Sequence, residues 1–182
     1  MTTPAGPLPT LSPAIGFPDW YQGGFVDIER LLVAHFSELL TGVEVVSWLP
    51  TDKDVLAEIQ KPTNTVYLRI FRTGGRVIFG EPGKGAIDRC HVQFAALAAS
   101  RELSWQVIEF VRQVMYAYLD GGSRIKAGGL YAMLTTVGEI NGPVLTPEVF
   151  RDQRLVPVTF ELDTQRRKGL PSFSDYSREL VA

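Results

Sequence analysis

The chain has 182 residues, of which 45% are hydrophobic and 21% are charged, and this balance fits one globular domain with a substantial core. Its formal net charge of -2 gives no overall electrostatic case for a nucleic-acid-binding protein. The single cysteine, Cys90, excludes an internal disulfide and fits a reducing compartment, and its place on the apolar side of a predicted strand favours a buried packing thiol.

Residues 1–24 are predicted to form a proline-rich arm, because prolines interrupt any regular element there. Trp20 and Tyr21 are more apolar than a free linker requires, so we expect the arm to dock, either on its own domain or on another protein. The N-terminus has no basic segment followed by an apolar core, which argues against a signal peptide. No apolar run approaches the ~20 residues that cross a bilayer, so we expect a soluble protein without a membrane partner.

The first half of the domain is predicted to contain one helix and two strands. Apolar residues recur at helical spacing after a candidate N-cap at Asp27, and Gly42 ends that pattern. A polar connection with one short helical turn separates the two strands. The predicted elements are a helix over Ile28–Leu39, a strand over Val43–Leu49, the turn at Val55–Ile59 and a strand over Val66–Arg72.

A glycine-rich stretch over Gly74–Gly85 is predicted to be a mobile hairpin arm between two strands. It invites comparison with a phosphate-binding loop, which needs a glycine, four residues and then Gly-Lys-Ser/Thr. Here Gly85 follows Gly83-Lys84, and a strand follows instead of a helix, so that interpretation fails. The apolar tip, Val77-Ile78-Phe79, favours a contact surface over a solvated loop.

The stretch from Ala86 to Leu119 is predicted to pair the central strand with a long helix. Cys90, Val92 and Phe94 alternate with polar residues, which is the period of a half-buried strand. Ser100 can then cap a helix with two apolar stripes, of which the sheet is expected to cover the first. The first stripe is Leu103, Val107, Phe110, Val111, Val114 and Tyr118, and the second is Trp105, Ile108, Met115 and Leu119. The second stripe is either further core or the contact with a neighbouring subunit.

Two more strands are predicted over Leu130–Val137 and Leu155–Asp163, with a link at 124–129 and an irregular segment at 138–153. These elements predict an α+β fold, with one mainly antiparallel sheet of about five strands and two helices packed on one face, in the order α-β-β-β-α-β-β. The first three strands are expected to form a meander.

The domain boundaries are predicted at residues 1–24 for the arm, 25–165 for the α+β domain and 166–182 for a polar C-terminal tail. The tail begins with a basic cluster, Arg166, Arg167 and Lys168. The cluster is either a solvated charge run or a contact with the carboxylates of a neighbour.

No catalytic, cofactor-binding or metal site is predicted. His35 and His91 are the only histidines, and His91 lies on the strand face opposite Cys90, so the two side chains point apart. The acidic residues are scattered without the spacing of metal ligands, and no dinucleotide-binding fingerprint is present. We therefore expect no enzyme activity, no cofactor and a structural role for His35.

The order and spacing of several short motifs resemble the tail terminator proteins of long-tailed, siphovirus-type bacteriophages. The likeness covers about Phe25 to Arg167, and no single motif is diagnostic. The motifs are Asp27-Ile28-Glu29, Trp48-Leu49-Pro50, Val66 to Arg72 followed by Gly74-Gly75, Asp88-Arg89, Ser100-Arg101-Glu102, Gly142-Pro143 and Asp163-Thr164-Gln165-Arg166. The proline-rich arm and the C-terminal tail are longer than the family pattern suggests.

The resemblance implies a structural virion protein without a cofactor, which forms a ring of usually six copies at the head–tail junction. One face would cap the tail tube and stop its polymerisation, and the other would meet the head-side connector or stopper protein. Genomic DNA would pass through the ring without specific binding, and assembly would take place in the host cytoplasm. A ring needs two different patches that bind each other. The candidate interface residues are Trp20, Tyr21, Arg76, Val77, Ile78, Phe79, Lys84, Trp105, Met115, Arg166, Arg167 and Lys168.

Two alternatives to a terminator remain. One is a head-completion or stopper protein of the connector, although such a protein is more typically a small β-barrel. The other is a stand-alone RNA-binding α+β domain, which needs aromatic and basic side chains on an open sheet face. The residues that could supply such a face are Tyr67, Arg69, Phe71, Arg89 and His91.

Overall fold

The computed structural model describes residues 16–21, 23–51, 54–59, 61, 65–79, 85–120, 124–143, 155–166 and 170–181. The chain forms two compact units, of which one combines Met1–Gly23 with Gly169–Ala182 and the other is Gly24–Lys168. The larger unit contains α1 (Ile28–Leu39), β1 (Val43–Val46), α2 (Val55–Ile59), β2 (Val66–Phe79), β3 (Ala86–Leu97), α3 (Arg101–Asp120), β4 (Arg124–Ala127), β5 (Leu130–Asn141) and β6 (Val156–Gln165). The smaller unit contains α4 (Phe173–Val181), a helix that the sequence analysis did not predict.

One mixed sheet in the order β1-β2-β3-β6-β5-β4 confirms the predicted α+β class. Within the described residues it has six strands instead of about five, and four helices instead of two. β1 and β2 are parallel, whereas every other neighbouring pair is antiparallel. The predicted meander of the first three strands is therefore wrong. Parallel neighbours need a crossover connection, and the segment that contains α2 provides it.

The core lies between one face of the sheet and the helices α1 and α3. Cys90, Val92 and Phe94 on β3 are fully buried, as their alternation predicted. Phe94 packs edge-on against Phe36 of α1, with ring centroids 5.4 Å apart, and against Phe160 of β6 at 5.8 Å. These ring contacts join β3 and β6 to α1 in a single hydrophobic layer.

Both long helices begin at the predicted caps. The Asp27 carboxylate accepts a hydrogen bond from the Arg30 amide at 3.1 Å, and the Ser100 hydroxyl accepts one from the Leu103 amide at 3.2 Å. Each cap satisfies an amide that has no partner inside the helix. The sequence signal for the start of a helix was therefore reliable at both positions.

The division of α3 into two stripes was wrong. Ile108 and Met115, which were assigned to the second stripe, are fully buried together with Val111. Phe110, which was assigned to the first stripe, is exposed. The line that faces the core has the spacing i, i+4, i+7, i+11 from Ser104, so it runs between the two predicted stripes. Each stripe therefore contributes one flank of the helix, and Met115 lies in the core and not on the surface.

The predicted link at 124–129 is a strand and a tight turn. β4 and β5 form a hairpin through Gly128 and Gly129, whose φ angles of 55° and 76° are those of a two-residue type I′ turn. A Cβ atom on Gly128 would lie only 2.8 Å from the Cβ of Ala34 on α1. Glycine is therefore required there for its backbone conformation and for the approach of the helix.

The glycine-rich stretch is strand over its described part, so it belongs to a hairpin as predicted, but β2 does not end at Arg72. β2 continues through it to Phe79, which lies opposite Ala86 at the start of β3. The register shifts between Arg72 and Gly74, which marks a β-bulge. Residues 80–84, including the interface candidate Lys84, lie outside the described residues.

Candidate functional site

The exposed end of the β2–β3 hairpin is the part of the larger unit that most resembles a contact surface. We call Gly74–Phe79 of β2 the hairpin end. Phe79 is 71% exposed and Val77 is 40% exposed, although both belong to a regular strand paired with β3. Large apolar side chains exposed on adjoining strand positions are typical of surfaces that bind another protein.

Gly75 lets the backbone of β2 approach β3 closely at the start of the hairpin end. Its φ angle is 132°, and a Cβ atom at this position would lie 2.1 Å from the carbonyl oxygen of Arg89. No side chain fits that gap without a shift of the backbone. The glycine therefore fixes the direction in which the strand continues after the bulge.

Two bidentate ion pairs hold the base of the hairpin end on opposite faces of β3. On the helix side, Arg72 donates to both carboxylate oxygens of Asp88 at 2.8 and 2.9 Å. On the other side, Arg89 donates to both oxygens of Asp163 at 2.8 and 2.7 Å. Asp88 and Asp163 are only 2% and 4% exposed, so the carboxylates are shielded from water, whereas the two arginine side chains remain partly exposed. Paired forks of this kind combine charge with a fixed geometry.

The electrostatics of this region favour the protonated form of the Cys90 thiol. The hydrogen bond from Arg89 holds the pKa of Asp163 below its usual range. Burial, followed by the neighbouring Asp88 carboxylate, raises the pKa of the Cys90 thiol to about 12. The thiol lies 3.2 Å from an Asp88 oxygen and donates to it. A buried, protonated thiol packs as a small apolar group and is not a nucleophile.

Four of the seven motifs that carried the family resemblance meet at this place. Glu29 of α1 accepts a hydrogen bond from the backbone amide of Arg72 at 2.9 Å, beside the Arg72–Asp88 pair. Arg89 and Asp163 come from two other motifs and pair on the opposite face. Residues that are far apart in the sequence thus build one charged framework under the hairpin end.

An open cleft of about 260 Å³ lies beside the hairpin end, between Gly75, Arg76, Arg89, His91 and Glu161. His91 and Arg89 lie 3.2 and 3.5 Å from Glu161, so that carboxylate compensates much of the positive charge. Arg76 has no ion pair within the described part of the chain. Within that part, no three His, Cys, Asp or Glu residues are grouped as metal ligands.

The sheet face that could have bound RNA bases is partly occupied by the protein's own side chains. Tyr67 is buried in a small second core together with Ile59 and Leu97. The guanidinium of Arg69 lies 3.9 Å from the ring centre of Phe71 and 5.1 Å from that of Trp48. Stacking of bases needs free aromatic faces, so this arrangement disfavours the RNA-binding alternative.

A second surface, which we call the α3 flank, consists of Trp105, Arg112 and Tyr116 with Glu139 of β5. Arg112 donates to Glu139 at 2.8 Å, and the Tyr116 hydroxyl donates to the same carboxylate at 2.7 Å. Trp105 and Tyr116 remain exposed. Ordered aromatic and arginine side chains of this kind are enriched at protein interfaces.

Comparison with known families decides the class of protein. A family model described as phage tail termination protein matches residues 24–171. The chain belongs to the phage tail terminator family. The match covers the whole larger unit, so the terminator has a structural role in the phage tail.

No curated protein matches the terminator chain. Within the described residues, none of the terminator's helices is long and apolar enough to cross a membrane.

The two aromatic anchors predicted in the arm of the terminator lie in the smaller unit. The rings of Trp20 and Tyr21 lie 5.6 and 6.0 Å from the ring of Tyr176 on α4. The Tyr176 hydroxyl donates to the carbonyl of Gly23 at 3.0 Å. α4 itself begins at a capping box, in which Ser172 and Asp175 exchange hydrogen bonds. The N-terminal segment therefore packs on the C-terminal helix, a pairing that the sequence did not indicate.

Of the remaining interface residues predicted for the terminator, one lies within the described residues and the others lie outside them. Arg166 follows β6, and its amide donates to the carbonyl of Ala86 at 3.4 Å. Arg167 and Lys168 lie outside the described residues.

His35, expected to be structural, is hydrogen-bonded to Tyr118, and burial lowers its pKa.

Proposed function

We propose that this terminator closes into a ring of six copies that caps the tail tube of a siphovirus-type phage and stops its polymerisation. In the same proposal the opposite face of the ring binds the head-side connector. The observation that carries the proposal is that the hairpin end is exposed, whereas the core of this family domain is buried. Phe79 is 71% exposed in a single copy, and a contact with a neighbouring copy would remove that side chain from water.

A closed ring needs two different patches on each copy, because a heterologous contact joins one patch to the other. The hairpin end and the α3 flank are two such patches, with different residues and different chemistry. The hairpin end is apolar with one arginine, and the α3 flank combines aromatic rings with carboxylates. This difference supports head-to-tail association over a two-fold symmetric dimer.

The charge distribution supports passage of DNA through the ring without specific binding. Non-specific binding to DNA depends on the number of lysine and arginine contacts with phosphates. The net charge is -2, and the guanidinium groups of Arg72, Arg89 and Arg112 are each paired with a carboxylate. These three arginines are held by protein partners that compete with phosphate.

The test is electron microscopy of particles made during infection without this protein, with a tagged copy for localisation. The proposal predicts tail tubes of uncontrolled length that are detached from heads, and a tag at the head–tail junction when the protein is restored. A stopper protein would instead leave tails of normal length that fail to join heads. Normal particles in the absence of the protein would refute the proposal.

A further inference from the structure

Among the described strands, none pairs with the outer edge of β2 along the hairpin end. β3 pairs with β2 from Tyr67 to Phe79, which occupies the inner edge throughout. On the outer edge, β1 pairs only with Val66–Arg69, and Glu29 binds the next outward amide, that of Arg72. Beyond Arg72, no described strand lies against this edge. A free edge of this kind is a template for another strand.

The direction of the backbone groups at Val77 follows from its partner on β3. Val77 lies opposite Asp88, whose carbonyl accepts a hydrogen bond from the Thr164 hydroxyl of β6 at 3.4 Å. Two residues earlier on β3, the Ala86 carbonyl accepts a backbone bond from the Arg166 amide, and alternate residues of a strand direct their backbone groups to the same side. The backbone groups of Asp88 therefore point toward β6 and away from β2. In an antiparallel pair, two opposed residues direct their backbone groups either both toward each other or both away from each other. Because those of Asp88 point away from β2, those of Val77 point away from β3 and to the outer edge.

The same sheet has a second free edge at its other end. β4 pairs only with Leu130–Met133 of β5, whereas β6 pairs with the following part, Leu134–Asn141, in which the register shifts at Thr135 and at Ile140. The outer edge of that following part faces no described strand. Ile140 is exposed on it, so both free edges of the sheet carry apolar side chains beside open backbone groups.

We propose that the outer edge of β2 in one copy pairs with the outer edge of β5 in the next copy, so that the sheet continues from copy to copy. This inference rests on the proposed ring and names the contact that closes it. The occupant is a second copy because one chain presents both edges, at opposite ends of one sheet. Two different edges of the same molecule give a head-to-tail contact that can close on itself.

The pairing predicts that a backbone amide of Val77 matters more than its side chain. Val77→Pro removes the outward amide but leaves the ladder with β3 intact, because proline is tolerated at strand edges. Val77→Thr keeps the amide and the shape of the side chain. Sedimentation velocity of the full chain measures association in solution. The copy number is measured in tails isolated from complemented infections.

We expect Val77→Pro to weaken association about tenfold or more, as the loss of an interfacial hydrogen bond predicts, and Val77→Thr to weaken it less than threefold. Circular dichroism should show the same fold for both variants. Rings of Val77→Pro with wild-type stability would overturn the strand pairing and leave the proposed ring standing. A wild-type chain present as a single copy even in tails would overturn both.

A mixing experiment tests which edge is the partner. Ile140→Lys places a charge on the β5 edge, whereas Val77→Pro damages only the β2 edge. At a concentration at which neither variant associates alone, the mixture should form 1:1 dimers, because it retains one intact edge of each kind. A mixture that stays monomeric, or dimers formed by either variant alone, would overturn the pairing of β2 with β5.

Discussion

The exposed ring of Phe79 allows the strength of the ring contact to be tested with one substitution. A phenylalanine buries about 200 Å² at most, so a residue that is 71% exposed offers about 140 Å² for a contact. Phe79→Ala removes about 100 Å² of this, which at ~25 cal/mol per Å² is about 2.5 kcal/mol at each contact. We therefore expect association to weaken roughly 70-fold.

Sedimentation velocity over a range of concentrations measures this change, and thermal unfolding measures the stability of the single copy. The unfolding free energy should change by less than about 0.5 kcal/mol, because the side chain is exposed in the monomer. Trp48→Ala is the matched control, since Trp48 is 72% exposed but lies outside the hairpin end and the α3 flank. The reasoning is refuted if Phe79→Ala associates like the wild type, or if Trp48→Ala weakens association equally.

Three further predictions concern the framework under the hairpin end. Gly75→Ala should destabilise the fold by more than about 2 kcal/mol in urea unfolding, because its Cβ would collide with the Arg89 carbonyl, whereas Gly74→Ala has open space and should change little. The Asp163 carboxylate has a lowered pKa, so it stabilises the fold above its unfolded pKa of about 3.8, and this contribution is lost as the pH falls through the folded pKa. Acid unfolding of Asp163→Asn should therefore depend less on pH, and an unchanged acid transition would contradict this. Cys90, with its pKa raised to about 12, should resist alkylation by iodoacetamide at pH 8 in the folded protein and react once urea unfolds it, whereas rapid labelling of the native protein would count against a buried thiol.

The sequence predicted those elements in which one local signal and the core agree. The alternation through Cys90, Val92 and Phe94 gave the central strand, because side chains on a strand alternate between faces whatever the rest of the fold does. The caps at Asp27 and Ser100 are equally local. In each case the deciding contact lies within a few residues of the signal.

The misses depend on neighbours that are distant in the sequence. Gly74-Gly75 was interpreted as the start of a loop, but Gly75 serves a bulge inside β2, where the carbonyl of Arg89 approaches it. β4 is short, and the available signal was the two-residue turn Gly128-Gly129 between alternating residues. Met115 was predicted at an interface but lies in the core. The two stripes read from the sequence do not show which line of residues between them packs on the sheet.

The candidate site was predicted in part for the same reason. Val77 and Phe79 were predicted as a contact surface because they form an apolar run within a glycine-rich stretch, and both are exposed in the structure. The pairs of Arg72 with Asp88 and Arg89 with Asp163 could not be predicted, because they depend on the strand register and on the bulge. An arginine and an aspartate far apart in the sequence give no sign that they are partners.

The two ion pairs on opposite faces of β3 also act as a check on alignment during folding. A slip of one residue turns every side chain of a strand to the other face. Asp88 would then turn toward Asp163, and Arg89 toward Arg72, so both attractions would become repulsions between like charges. Two repulsions therefore destabilise a misaligned hairpin, and the folded chain enters assembly with the free edge of β2 in a single register.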